Sequence, residues 1–247
     1  MINTVRPQIP SLNSSQNANQ GSMHQERMIN ILGVASSMRE GSYSTLGLKI
    51  VLEEAKKYGS ESYMLELRDI NLPLYDPNGS SLDEPSTING GNNALEKITK
   101  SLKWADALIL ASPDYHGSMS GTLKNFLDYF WEDFAGKTFG YLVASHEKGL
   151  TVADQMRTAI RQCYGWSMPY NLSINGEKDF DSKGDLVNSA LVKRIKMLAR
   201  DLVTYGALIR GQFLRDVANH KISDTFASHY RDYFIQSSAP ANPLCYH

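Results

Sequence analysis

The segment ADALILASPDYHGSMSGTLKN, Ala105–Asn125, decides how this chain folds. Its first part, Asp106–Ser112, is an apolar run short enough for a buried strand. Pro113 ends that strand, because proline cannot donate to a ladder. A loop with an aromatic, a histidine and two glycines follows, Tyr115, His116, Gly117 and Gly121. Beyond it Leu123, Phe126, Leu127, Phe130, Trp131 and Phe134 recur at three- and four-residue steps, which predicts a helix over Gly121–Phe134. This apolar face is either core or an interface.

Working outward, the same alternation recurs on both sides. Met28–Val34 reads as a first strand, and Thr45–Gly59 as a helix with Leu46, Ile50 and Ala55 among its apolar positions. Ser62–Asp69 reads as a second strand. Residues 70–92 form a long loop rich in Pro, Gly, Asn and Asp, and Ala94–Ala105 a helix. Downstream, Lys137–Ser145 is a fourth strand, Leu150–Gly165 a helix, and Met168–Gly176 a fifth strand. Leu186–Gly206 is a last helix with Val187, Leu191, Ile195, Leu198 and Leu202 on one face. Five alternations imply an α/β three-layer sandwich, a five-stranded parallel sheet covered on both faces. Five strands favour the flavodoxin-like order 2-1-3-4-5, in which ligands sit where strands 1 and 3 diverge at their carboxyl ends.

Composition narrows the rest. A net charge of −1 gives no electrostatic reason for nucleic acid or a membrane surface, and no apolar run reaches the roughly 18 residues of a span. The two cysteines, Cys163 and Cys245, have no partners at metal-ligand spacing, which fits a reducing, cytoplasmic setting. Residues 1–27, rich in Asn, Ser and Gln with no apolar block, are expected to be a disordered polar tail. Residues 28–207 are expected to form the domain, and 208–247 an extension. The aromatics of that extension, Phe213, Phe226, Tyr230, Tyr233 and Phe234, suggest that it packs on something, a second subunit among the options.

Two loops stand at the expected ligand end. Ser36–Thr45 offers the hydroxyls of Ser37, Ser42, Ser44 and Thr45, and one guanidinium, Arg39, at the head of a helix whose first amides are unpaired. With no G-x-x-x-x-G-K-[ST] and no G-x-G-x-x-G, a single phosphate fits better than a triphosphate or a pyrophosphate. The alternative is a polar loop in which Ser44 caps the helix. In the second loop Tyr115 and His116 supply planar faces, and Gly117 and Gly121 permit close backbone approach, equipment that suits a flat heteroaromatic ring. Here the alternatives are a packed loop aromatic and a satisfied histidine.

On these residues the chain resembles the NAD(P)H-dependent FMN reductase family, the flavodoxin-like group that includes quinone, chromate and azo-dye reductases. Ser37, Arg39 and Ser42 match the family's G-S-x-R-x-x-S-x-N, with Ser36 and Ser44 in place of Gly and Asn. Pro113, Tyr115, Ser118, Gly121, Leu123, Lys124 and Asn125 match P-E-Y-N-x-S-x-x-G-x-L-K-N, with Asp114 and His116 in place of Glu and Asn. The third family loop, S-G-G-x-x-G-G, keeps only Ser145 and one glycine, Gly149. The resemblance spans about Met28–Gly206 and implies FMN as cofactor and NADPH or NADH as co-substrate. Hydride would pass from nicotinamide to flavin N5 and then to a small acceptor such as a quinone, azo compound, flavin or metal oxyanion, in a ping-pong cycle. It assigns the phosphate to Ser37, Arg39, Ser42, Ser44 and Thr45, and the ring and ribityl chain to Pro113, Tyr115, His116, Gly117, Ser118 and Ser145. It also implies a homodimer or homotetramer. The competing reading is a flavodoxin-like electron carrier, against which the absence of a strongly acidic surface counts.

Overall fold

The structure, a computed structural model, describes residues 28–77, 91–221 and 223–236. The expected polar tail 1–27, most of the long loop after residue 77, and Cys245 lie outside the described residues. Strand β1 (Ile29–Ala35), helix α1 (Tyr43–Lys56), β2 (Ser60–Glu66), α2 (Gly91–Trp104), β3 (Ala107–Pro113), α3 (Gly121–Tyr129), β4 (Thr138–Ala144) and α4 (Leu150–Gln162) alternate as the periodicity predicts. All pairings are parallel, and the order is β2-β1-β3-β4 followed by the edge, the flavodoxin-like arrangement. Two apolar clusters cover the two faces of the sheet. One joins β3 and β4 to α2, α3 and α4 through Leu108, Leu110, Phe126 and Met156; the other joins Ile31 and Ile109 to Leu48 and Leu198.

Three elements differ from expectation. The fifth strand is two pieces, β5 (Trp166–Ser167) beside Thr138–Phe139 and β6 (Leu172–Ile174) beside Leu142–Ala144. Pro169 sits in the gap, where a residue without an N–H cannot continue a ladder. Helix α3 stops at Tyr129, because Phe130 turns to extended backbone (φ −126°, ψ 133°) before a short 3₁₀ turn, Glu132–Phe134. Phe126, Phe130 and Phe134 are nonetheless core, while Trp131 is 58 % exposed.

The last helix is also longer than expected. After a single turn α5 (Gly176–Asp179), α6 runs over Ser189–Ala218, straight through residues 207 and 208. Val187 is exposed and precedes it; the N-cap is Asn188, whose side chain accepts from the amides of Ala190 and Leu191. A 3₁₀ turn, Phe226–Tyr230, and α7 (Arg231–Gln236) then fold back. Phe213, Phe226, Tyr230 and Phe234 pack together with Ala135 and Val217, so this chain covers its own extension's aromatics. The extension meets residues 132–137, just ahead of β4 and at the end of the sheet away from the two loops.

Candidate functional site

Strands β1 and β3 are neighbours, and the chain leaves their carboxyl ends through residues 36–42 and 114–120. Serines tie the two exits together. Ser36 donates to Ala111 O through both its amide (3.1 Å) and its hydroxyl (2.9 Å). Ser120 Oγ lies 2.9 Å from Ser36 Oγ and 3.1 Å from Ser36 O, and Thr122 Oγ1 donates to the same carbonyl (2.6 Å). The Ser120 amide donates to Ser112 Oγ (3.0 Å). None of these four residues stands among the sequence-predicted ligands. The available signal was Ser120 itself, a hydroxyl residue directly before a helical pattern, and it is indeed the N-cap of α3.

In the first loop Ser37 is buried and accepts from the Arg39 amide (3.2 Å). Ser42, not Ser44, caps α1. Its backbone is extended (φ −65°, ψ 145°), as a cap requires, whereas Ser44 is already inside the helix. Ser42 Oγ accepts from the Thr45 amide (3.3 Å) and lies 3.2 Å from Ser44 Oγ and 2.9 Å from Thr45 Oγ1. Ser42, Ser44 and Thr45 thus form one hydroxyl cluster at the head of α1. No acidic residue stands in that first turn, so nothing there offsets the partial positive charge of the unpaired amides. Arg39 is exposed and is the loop's one cation.

The second loop is a tight hairpin. Tyr115 N donates to Ser118 O (3.0 Å) and Ser118 N to Tyr115 O (3.1 Å), with His116 (φ 58°) and Gly117 (φ 76°) between them. Two successive left-handed residues make the mirror-image turn that favours Asn-Gly, and histidine shares asparagine's tolerance of that region. That explains His116 where the family pattern has Asn. Tyr115 is 47 % exposed, so it is no packed aromatic. Ser145, on the third loop, donates to Asp114 Oδ2 (2.9 Å), and Ser118 Oγ donates to Gln155 Oε1 of α4 (3.0 Å). Gly149 (φ 58°) starts α4, and a Cβ there would stand 2.5 Å from Val143 Cγ1.

The structure therefore gathers Ser37, Ser42, Ser44 and Thr45 in one loop, and Pro113, Tyr115, His116, Gly117, Ser118 and Ser145 in the adjoining pair, with the Ser36–Ser120 knot between them. Asn125 of the second motif faces away, bridging Pro73 O (2.7 Å) and the Tyr75 amide (2.8 Å) in the loop after β2. Two cavities, of about 430 and 400 Å³, flank Trp166 and Ser167 beside the start of β4. Neither is lined by any residue of the three loops. Among the described residues no helix is long and apolar enough to cross a membrane, and no cluster of ligating side chains could hold a metal.

Residues 29–179 match the model of the NADPH-dependent FMN reductase family. The chain is 28 % identical over 194 residues to the NAD(P)H-dependent FMN reductase PA1204 of Pseudomonas aeruginosa, covering 74 % of this chain and 98 % of that protein. It is 32 % identical over 126 residues to an NADPH azoreductase of a Bacillus species, 49 % of this chain and 66 % of the other. Among solved structures, the flavoenzyme NAD(P)H:(acceptor) oxidoreductase FerB of Paracoccus denitrificans superposes with a TM-score of 0.62 at 15 % identity, over 74 % of this chain and 99 % of FerB.

Proposed function

Because the chain belongs to the NADPH-dependent FMN reductase family, we propose that it holds FMN between the 36–45 and 113–118 loops and reduces a small acceptor with electrons from NADPH or NADH. The observation that carries this reading is the head of α1. Three clustered hydroxyls, Ser37 nearby, one guanidinium and a first turn without a carboxylate together make a donor set for a phosphate dianion. A diphosphate would need further cations, and this loop has only Arg39.

When bound, FMN supplies the redox chemistry, taking a hydride equivalent from the nicotinamide and reducing the acceptor in turn. The chain's own part is to bind and orient. Arg39 compensates the phosphate charge, and Ser37, Ser42, Ser44 and Thr45 donate hydroxyl hydrogens to its oxygens. Pro113, Tyr115, His116, Gly117, Ser118 and Ser145 border the ring and ribityl chain; the left-handed His116–Gly117 turn lets main chain come close, since no side-chain carbon stands at Gly117. No protein acid or base is required for hydride transfer. An NADPH azoreductase and an FMN-dependent NADH:quinone oxidoreductase stand among its relatives, which supports azo compounds and quinones as acceptor classes.

The test is an absorption spectrum of purified protein incubated with FMN and desalted, then treated with NADPH under nitrogen. Two visible bands that bleach on NADPH are expected. A colourless protein after desalting overturns the reading.

A further inference from the structure

The second loop spends nearly all of its main-chain donors on itself. From Asp114 to Ser120, six amides have acceptors: Asp114 on Ala144 O, Tyr115 on Ser118 O, Gly117 on Asp114 Oδ1, Ser118 on Tyr115 O, Met119 on Gln155 Oε1 and Ser120 on Ser112 Oγ. The seventh, His116, has none among the described residues. Outside the hairpin's own pair, two side chains take two of the four remaining amides, those within and just after the turn. Asp114 takes the Gly117 amide on Oδ1 (2.8 Å) and the Ser145 hydroxyl on Oδ2 (2.9 Å). Gln155 takes the Ser118 hydroxyl (3.0 Å) and the Met119 amide (3.1 Å) on Oε1, and its Nε2 donates to Gly117 O (3.4 Å).

We infer that Asp114 and Gln155 are positioning residues that clamp the hairpin, Asp114 from the hairpin's own base with Ser145 of the loop after β4 behind it, and Gln155 from α4. They hold His116 in the left-handed region and leave its amide as the loop's single uncommitted main-chain donor. Both act through other groups. Asp114 engages Gly117 and Ser145 with one oxygen each, and Gln155 engages Ser118, Met119 and Gly117. The clamp costs nothing to form on ligand binding, because it is already made, and preorganisation of this kind appears as affinity. A left-handed non-glycine residue persists only where its surroundings over-determine it, and the Tyr115–Ser118 pair together with these two side chains are the surroundings. The inference rests on the proposed FMN site for its functional consequence, though the clamp itself does not need the cofactor.

The experiment uses the full chain and the variants Asp114→Ala, Gln155→Leu and Gln155→Glu. FMN affinity is read by fluorescence titration, and main-chain exchange of the 114–120 peptide is read by mass spectrometry without FMN. Asp114→Ala and Gln155→Leu should raise the FMN Kd about tenfold, the loss of a hydrogen-bonded support, and speed exchange in that peptide alone. Gln155→Glu keeps the acceptor for Ser118 and Met119 and should restore most of the affinity. A Kd within twofold of the parent protein in both disruptive variants, or unchanged exchange, overturns the clamp. If Asp114→Ala does not fold, the Gln155 pair decides alone. If the parent protein takes up no FMN, the proposed function falls and the exchange result by itself decides for or against the clamp.

Discussion

The two ends of the sheet handle polar groups in opposite ways. At the carboxyl end, buried serine hydroxyls bond to one another and to the main chain, Arg39 and Tyr115 are exposed, and the backbone is left-handed at His116 and Gly117. At the amino end buried charged groups are engaged. Asp106 accepts from the Asn30 amide (3.1 Å) and stands 3.7 Å from Arg210 Nε; Arg210 lies over the rings of Phe213 (5.3 Å) and Phe234 (4.9 Å). Lys137, wholly buried, donates to Leu102 O, and Asp133 accepts from the Tyr233 hydroxyl (2.6 Å). Hydroxyl bonds thus knit one end, and charged side chains the other. The amino end is covered by the α6–α7 extension, whereas Arg39 and Tyr115 at the carboxyl end are exposed.

If that contrast is right, changes at the amino end should alter stability and spare FMN binding, and changes at the carboxyl end should do the reverse. The largest effect should come from Phe213→Ala. The Phe213 ring lies against Gly136, where even a Cβ would come within 2.3 Å, and it anchors the extension's cluster. Its loss should cost about 3–5 kcal/mol in denaturant melts, with the FMN Kd unmoved; a changed Kd would join the two ends that the structure separates.

Lys137 should give the next largest effect, and one that depends on pH. Burial, reinforced by repulsion from Arg210, lowers its pKa from 10.5 to about 7. The unfolded chain keeps that proton up to about pH 10.5, so between pH 7 and that value the unfolded state binds more protons and folding stability rises with pH. Lys137→Met removes the ionisable group. Its stability relative to the parent should therefore be most favourable near pH 7 and decline toward pH 10, measured as the difference in melting curves. A difference that is flat over that window would mean that Lys137 titrates normally.

At the other end, Arg39→Ala should raise the FMN Kd roughly 10- to 100-fold, the worth of a charge-assisted contact, with no loss of stability, since the side chain is exposed. Ser42→Ala sharpens the comparison most finely, because Ser42 is both a fastener and a proposed ligand. It should cost about 1 kcal/mol as a lost cap and weaken FMN as well; a stability loss alone would confine it to capping.

Much of this was legible beforehand because short-range patterns carry it. Apolar runs bounded by Pro and Gly set β1, β3 and β4, and their alternation with helical spacing sets a parallel sheet whose order and crevice follow from chain handedness. The hydroxyls of the first loop and the aromatic-His-Gly turn of the second could be placed at the carboxyl ends of β1 and β3 because each directly follows its strand. What escaped were facts that need two distant segments at once. The fifth strand breaks where β4 offers it two separate registers, around Pro169. The last helix passes residue 207 because the Phe213 cluster downstream gives its second half a surface to cover.

The sequence by itself determined the sheet, its order, and the two loops at the point where β1 and β3 diverge, since each rests on periodicity or on turn chemistry within about ten residues. Only the tertiary structure decided which polar residues remain free to meet a ligand. Ser36, Ser37, Ser42 and Ser120 are all buried and hydrogen-bonded in the fold, while Arg39 beside them stays exposed. Whether a hydroxyl or carboxylate is spent internally depends on the partner that folding brings within 3 Å, which lies as far as 84 residues away for Ser120 and Ser36.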